Sequence, residues 1–168
     1  MTSVIEPTPA PVARDTGRPT VLTASRRIDA GELQRLLPHA WPFLMLDAVT
    51  NLEPGVRGEA IKCVTNAEWA IHGHFPGEPI LPGVLLIEAA AQLCGIVTAS
   101  ASEPGASPSI GYLASVKRFR LRSLVQPGDQ VRIEAHIERQ RSRLAEFRVT
   151  ARVAGRVCAD GALMIRLG

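Results

Sequence analysis

The stretch at residues 73–92 reads GHFPGEPILPGVLLIEAAAQ and decides how this chain folds. Its first half is a loop rich in Gly and Pro, which interrupt helices and strands. Its second half is apolar on every face of a helix, a pattern typical of a helix that is buried on nearly all sides. We therefore predict a main helix over residues 84–100, preceded by a turn at Pro82 and Gly83.

Two ionisable side chains in this stretch, His74 and Glu88, indicate acid/base chemistry. An unpaired charge in an apolar helix is costly to bury. Burial favours the neutral carboxyl, so we expect Glu88 to be able to donate a proton, whereas neutral His74 can accept one. The helix start at Gly83 leaves backbone N–H groups free to bind an oxygen that gains negative charge. A base, an acid and such a donor suit the elimination or addition of water beside a carbonyl group.

The remaining pattern predicts an α+β fold. Asp29 and Glu32 match a capping box and predict a short helix that ends before Pro38. Apolar runs of strand-forming residues, or alternation of apolar and polar residues, predict a series of strands over residues 43–49, 58–65, 110–116, 131–138, 147–153 and 157–165. Turns are expected at residues 54–55, 127–129 and 154–155, and a loop at 103–109. The strands would form a long antiparallel sheet wrapped around the buried helix.

The chain of 168 residues, of which 46% are hydrophobic, is long enough for one domain with a substantial core. Residues 1–27 contain four prolines among small polar side chains, and we expect a disordered or loosely packed extension before a folded domain at 28–168. The net charge of +3 is too small to indicate nucleic acid and favours an acidic partner.

Two further features concern the cellular environment. The three cysteines are far apart in the sequence and are expected to be reduced core residues. No apolar run is long enough for a membrane helix and the start has no signal-peptide pattern, so we expect a cytoplasmic protein.

These motifs strongly resemble those of the (3R)-hydroxyacyl-acyl carrier protein dehydratases of type II fatty acid synthesis, which have the hotdog fold. The resemblance covers about residues 29–166. The matching motifs are LPHAWPFLMLD at 37–47, GHFPG at 73–77, PGVLLIE at 82–88 with Ala91 and Gln92, and KRFR at 117–120 followed by PGD at 127–129. Their combination is far more specific than any one motif alone.

The resemblance implies a reaction and roles for the matching residues. Water would be removed from a (3R)-hydroxyacyl thioester to give a trans-2-enoyl thioester, in fatty acid or in polyketide- or polyene-type chain elongation. His74 would be the catalytic histidine, and Glu88 the catalytic acid, which the neighbouring subunit supplies in this family. The Gly83 N–H would bind the thioester carbonyl, and Gln92 would hold the carboxyl group of Glu88. The acyl tunnel would be lined by Phe75, Pro76, Val84 and Leu85.

The same resemblance implies the partners. An acyl carrier protein would deliver the substrate on its phosphopantetheine arm, with no cofactor and no metal in the dehydratase itself. Basic side chains that could dock this acidic carrier are Lys117, Arg118, Arg120 and Arg122, although a solvated strand face explains them equally well. A homodimer, a trimer of dimers or a heterodimer with a related subunit is expected.

The chain also departs from the family pattern at Ala40 and Ala48, where relatives carry arginine. These changes leave the acid/base pair intact. Two alternatives therefore stay open within the fold, a hotdog acyl thioesterase and a subunit that is active only within a heterodimeric dehydratase. A non-catalytic carrier-binding subunit is disfavoured because both His74 and Glu88 are retained. We interpret His39 as a structural turn residue.

Overall fold

The computed structural model describes residues 26–102 and 110–168. The predicted loop at 103–109 and residues 1–25 of the predicted extension lie outside these ranges. In the described part, the helices and strands follow one another as α1 (Ala30–Leu36), β1 (Ala48–Glu53), β2 (Arg57–Cys63), α2 (Gly83–Ala99), β3 (Gly111–Leu121), β4 (Gln130–Arg141), β5 (Leu144–Val153) and β6 (Arg156–Leu167).

The six strands form one sheet in the order β1-β2-β4-β5-β6-β3, and every neighbouring pair is antiparallel. Helix α2 contacts all six strands. Its long apolar surface is covered by inward side chains of the sheet such as Ile133, Phe147 and Leu163, which are almost fully buried. Since apolar burial is the main favourable term in folding, this contact holds the domain together. The predicted α+β architecture, an antiparallel sheet around one buried helix, is confirmed.

Helix α1 begins as the capping pattern predicts. The side chain of Asp29 accepts a hydrogen bond of 2.9 Å from the backbone N–H of Glu32. This bond satisfies one of the N–H groups that have no partner within the helix. Leu33 anchors the helix in the core, and the helix ends at Leu36, two residues before Pro38.

The strand predicted at residues 43–49 is wrong in its position. The strand begins at Ala48 and continues to Glu53, whereas residues 43–47 form an irregular segment. The reason is that the side chain of Gln92 replaces a neighbouring strand. Its Nε2 donates to the carbonyl of Phe43 at 2.8 Å, and its Oε1 accepts from the N–H of Met45 at 2.9 Å.

Helix α2 is buried on most of its surface but not all round. Val84 is 68% exposed, and Glu88, Ala91 and Gly95 are only half-buried. These residues recur at intervals of three and four and therefore share one face of the helix. That face remains partly open in the single chain, so the prediction of burial on nearly every side does not hold for it.

The cysteine prediction is correct at two positions and wrong at the third. Cys94 and Cys158 are buried free thiols, and burial raises the pKa of each above its usual range. Cys63 is exposed, because it is the last residue of β2 and lies on the outer side of the strand's alternating burial pattern.

Candidate active site

The loop that carries His74 is held by its own backbone. The N–H of His74 donates to Ile71, and the N–H of Ile80 returns a bond to the carbonyl of His74. The imidazole Nδ1 lies 3.3 Å from the carbonyl oxygen of Ile80. A carbonyl can only accept, so this contact requires the proton on Nδ1 and leaves the lone pair on Nε2. His74 is thus arranged to accept a proton at Nε2.

The carboxyl group of Glu88 is held from its own helix. Gln92 lies one turn later and donates from Nε2 to Oε1 of Glu88 at 2.8 Å. The orientation of the Gln92 amide is determined by Phe43 and Met45, which bind its nitrogen and oxygen respectively. Gln92 is 2% exposed, whereas the Glu88 side chain is 21% exposed. A buried, fully bonded amide therefore orients a carboxyl group that is partly accessible.

Glu88 opens into a cavity of about 290 Å³ between the end of α1, helix α2 and strand β3. The cavity is mostly apolar, and beyond Glu88 and Gln92 the face of α2 that lines it carries only small residues. Lining residues from these elements include Leu36, Leu37, Ala91, Gly95, Ala99 and Tyr112. A Cβ built on Gly95 would meet no atom within 4 Å, so this glycine widens the cavity. An apolar pocket beside one carboxyl group suits an alkyl chain attached to a polar reacting group.

His39 also lies at this cavity, although its place in the sequence predicts a structural turn residue. Its Nε2 is 3.4 Å from Oε1 of Glu88, and its ring stacks on Phe43 with centroids 6.3 Å apart. The only available signal in the sequence is its place directly after Pro38, within a matching motif. The partner of His39 lies 49 residues further along the chain, so local pattern does not reveal the contact.

Gly83 is the first residue of α2, and the preceding Pro82 makes no side-chain cap. The first N–H groups of a helix have no partner within it and can bind an anionic oxygen. A Cβ built on Gly83 would lie 2.1 Å from Cδ1 of Leu121, so the end of β3 approaches this glycine closely. Leu121 is itself 56% exposed.

The structure does not bring His74 and Glu88 into one cavity within a chain. Glu88 shares its cavity with His39 and Gln92, and His74 does not line it. The four residues predicted to form the acyl tunnel do not line this cavity either. Of these, Phe75, Pro76 and Val84 are exposed and Leu85 is buried in the core. Their role stays a prediction.

The predicted docking cations do not form one cluster. Strand β3 extends five residues beyond the predicted end at 116. It carries Lys117, Arg118 and Arg120, whereas Arg122 follows the strand. Lys117 is paired with Glu146 at 3.1 Å, and Arg122 forms an ion pair with Asp160. Arg118 and Arg120 line a separate depression of about 390 Å³ together with Arg148. Of the four predicted docking cations, only Arg118 and Arg120 line a common concave surface.

Among residues 26–102 and 110–168, no helix is long and apolar enough to span a membrane. No group of three or more His, Cys, Asp or Glu side chains in these ranges is arranged to hold a metal ion. The cytoplasmic location and the absence of a metal stay predictions.

Comparison with known proteins gives the family. A family model for the FabA-like domain matches residues 37–166. The 3-hydroxyacyl-[acyl-carrier-protein] dehydratase FabZ of Geotalea uraniireducens is 41% identical over 136 residues, which are 81% of this chain and 90% of that protein. The enzyme of the same name from Bacillus pumilus is 37% identical over 141 residues, 84% of this chain and 96% of that protein.

A solved structure, the dehydratase heterocomplex ApeI:P from Xenorhabdus doucetiae, superposes with a TM-score of 0.71 at 22% identity and covers 81% of this chain and 90% of its own. At that identity the likeness concerns the fold, and the predicted hotdog fold is confirmed. The match over residues 37–166 and the two FabZ relatives carry the assignment further: this chain belongs to the FabA-like domain family.

Proposed function

We propose that this protein is a hydro-lyase that removes water from (3R)-3-hydroxyacyl thioesters to give trans-2-enoyl thioesters. The observation that carries the proposal is a carboxyl group, Glu88, held by Gln92 at the mouth of an apolar cavity. Two relatives at 41% and 37% identity are named 3-hydroxyacyl-[acyl-carrier-protein] dehydratase, which supports the same reaction and an acyl carrier protein as the substrate carrier.

In the proposed mechanism, Nε2 of His74 takes the proton from the carbon next to the thioester carbonyl. The electrons of that C–H bond move into the carbonyl group to give an enolate, and they return to form the new double bond as the C–O bond to the 3-hydroxyl breaks. Glu88 gives its proton to the departing hydroxyl, which leaves as water. The Gly83 N–H holds the carbonyl oxygen while it carries negative charge. The protonated His74 and ionised Glu88 then exchange a proton with solvent, which restores both groups.

The proposed active site joins two subunits of a homodimer. His74 and Glu88 do not share a cavity in one chain, so a site that uses both needs a second copy. The open face of α2 at Val84 and the apolar side chains exposed along β3, an edge strand of the sheet, give that copy a surface to cover. Tyr112 and Val116 are among these exposed side chains. Trimers of such dimers and heterodimers stay predictions.

The acyl carrier protein is proposed to dock at Arg118 and Arg120. Neither residue forms an ion pair within 4 Å among residues 26–102 and 110–168, so both can pair with carboxylates of an acidic partner. Lys117 and Arg122 already have acidic partners and contribute less to docking.

The test is turnover of 3-hydroxyacyl-carrier substrates by the purified chain, with enoyl-thioester absorbance and free thiol recorded together. Enoyl signal without thiol is the expected result. Thiol release without enoyl product would contradict dehydration and identify a thioesterase. The absence of both signals would contradict a self-sufficient enzyme. It would point to a subunit that requires a different partner.

Two variants test the assigned residues. His74→Ala and Glu88→Ala are expected to abolish turnover while each remains a folded dimer by size-exclusion chromatography and circular dichroism. His136→Ala is the matched control, since His136 is exposed on β4 away from the cavity. Full activity in either of the first two variants would contradict the assignment.

A further inference from the structure

His39 approaches the same carboxylate oxygen that Gln92 binds. Gln92 donates to Oε1 of Glu88 at 2.8 Å, and Nε2 of His39 lies 3.4 Å from that atom. No hydrogen bond or ion pair to Oε2 of Glu88 occurs among residues 26–102 and 110–168. Gln92 therefore forms a hydrogen bond to Oε1, and His39 lies within ion-pair distance of the same oxygen without the alignment of a hydrogen bond.

The protonation state of His39 follows from its second nitrogen. Nδ1 is buried and has no hydrogen-bond partner among the residues that the structure describes. A proton on Nδ1 would be a buried unpaired donor, which costs about 1–3 kcal/mol. A lone pair there costs less, so of the two neutral tautomers the one with its proton on Nε2 is favoured. Nε2 is the nitrogen that lies 3.4 Å from Oε1 of Glu88.

We propose that His39 is a positioning residue for Glu88: its neutral imidazole donates from Nε2 to Oε1, alongside Gln92, so that the proton transferred in the reaction is carried on Oε2. The proposal rests on the proposed function of Glu88 as the acid. Contacts of catalytic groups are often long before substrate binds and shorten in the complex, which is consistent with the 3.4 Å separation.

Two consequences follow for catalysis. Holding Oε1 with two donors prevents rotation of the carboxyl group, so Oε2 remains directed at the leaving hydroxyl. The same donors stabilise the carboxylate that Glu88 becomes once it has released its proton. His39 acts on the rate of the chemical step and not on substrate binding.

The experiment compares the full-length chain with the variants His39→Leu, His39→Asn and His39→Gln. Gln extends its amide nitrogen about as far as the imidazole Nε2 reaches, whereas Asn is one methylene shorter and Leu has no donor. We expect kcat to fall about 10- to 100-fold in His39→Leu and His39→Asn, with KM changed less than about twofold. His39→Gln should recover most of kcat.

The control is His136→Leu, which changes an exposed histidine on β4 and should leave kcat and KM unchanged. Should His39→Leu fail to fold, the comparison of kcat between His39→Asn and His39→Gln still tests the proposal, because these two side chains differ only in how far their amide nitrogen extends. The proposal is overturned by unchanged kcat in His39→Asn, by a Gln variant as slow as the Asn variant, or by a rise in KM alone. If the wild-type chain forms no enoyl product, the proposed function itself has failed.

Discussion

At the scale of single residues, Gln92 shows how one buried amide supports both fold and site. It is bound to Glu88, Phe43 and Met45 through both N–H groups of its nitrogen and through its oxygen. The irregular segment at residues 43–47 and the candidate acid therefore depend on the same side chain. Loss of the amide would leave the backbone groups of Phe43 and Met45 without a partner in the folded state.

We predict that Gln92→Leu lowers the free energy of unfolding by about 2 kcal/mol or more, because buried polar groups lose their partners. It should also lower kcat about 10- to 100-fold, because Glu88 is released. Urea unfolding and steady-state kinetics check both effects. Gln34→Leu, an exposed position on α1, is the control and should change stability by less than about 0.5 kcal/mol. Equal effects of the two substitutions would contradict the role of Gln92.

The three thiols should differ in reactivity. Burial raises the pKa of Cys94 and of Cys158, so neither forms much thiolate even as the pH rises to about 9. Cys63 is exposed. Alkylation of the native protein at about pH 8 should modify Cys63 first, and alkylation in urea should modify all three. Cys63→Ser is the control and should remove the native reaction. Modification of Cys94 as fast as Cys63 would refute this prediction.

At the scale of elements, the contact between β2 and α2 depends on a glycine. A Cβ built on Gly58 would lie 2.9 Å from Leu93 and 2.9 Å from Val97, both completely buried. The helix therefore approaches the strand more closely than any side chain at this position allows. This contact fixes the depth at which α2, and with it Glu88, lies against the sheet.

We predict that Gly58→Ala lowers the free energy of unfolding by about 1–3 kcal/mol, because neither buried neighbour has room to move. Gly73→Ala is the matched control, since a Cβ there meets no atom within 4 Å. That substitution should change stability by less than about 1 kcal/mol, on the stabilising side. Urea unfolding midpoints compare the two variants, and equal shifts would show that the close approach at Gly58 carries no cost.

At the scale of the whole molecule, the proposed site needs two chains. Mixing inactive His74→Ala with inactive Glu88→Ala and allowing subunits to exchange should restore activity. Each mixed dimer has one site with both residues intact, so random exchange should give about a quarter of the wild-type rate. Each variant alone is the control. If the mixture stays inactive while mass spectrometry shows mixed dimers, both residues act within one chain or neither role is correct.

Much of the fold could be predicted from local patterns. Period-two alternation and runs of strand-forming residues predict five of the six strands, and the apolar run predicts α2 to within a residue at each end. The segment at residues 43–47 resembles a strand because it is mostly apolar, yet its backbone is bound by a side chain 47 residues away from Met45. No periodicity in the sequence carries information about such a partner.

Local sequence is enough to predict the architecture and to name candidate residues for proton transfer, because helical and strand periods and motif spacing are local properties. The contacts that those residues make follow from the tertiary structure. It joined His39 to Glu88, separated the docking cations between two surfaces, and kept His74 out of the Glu88 cavity. These relations depend on which distant segments pack together, and packing is settled by the shape of the whole core and not by any one stretch.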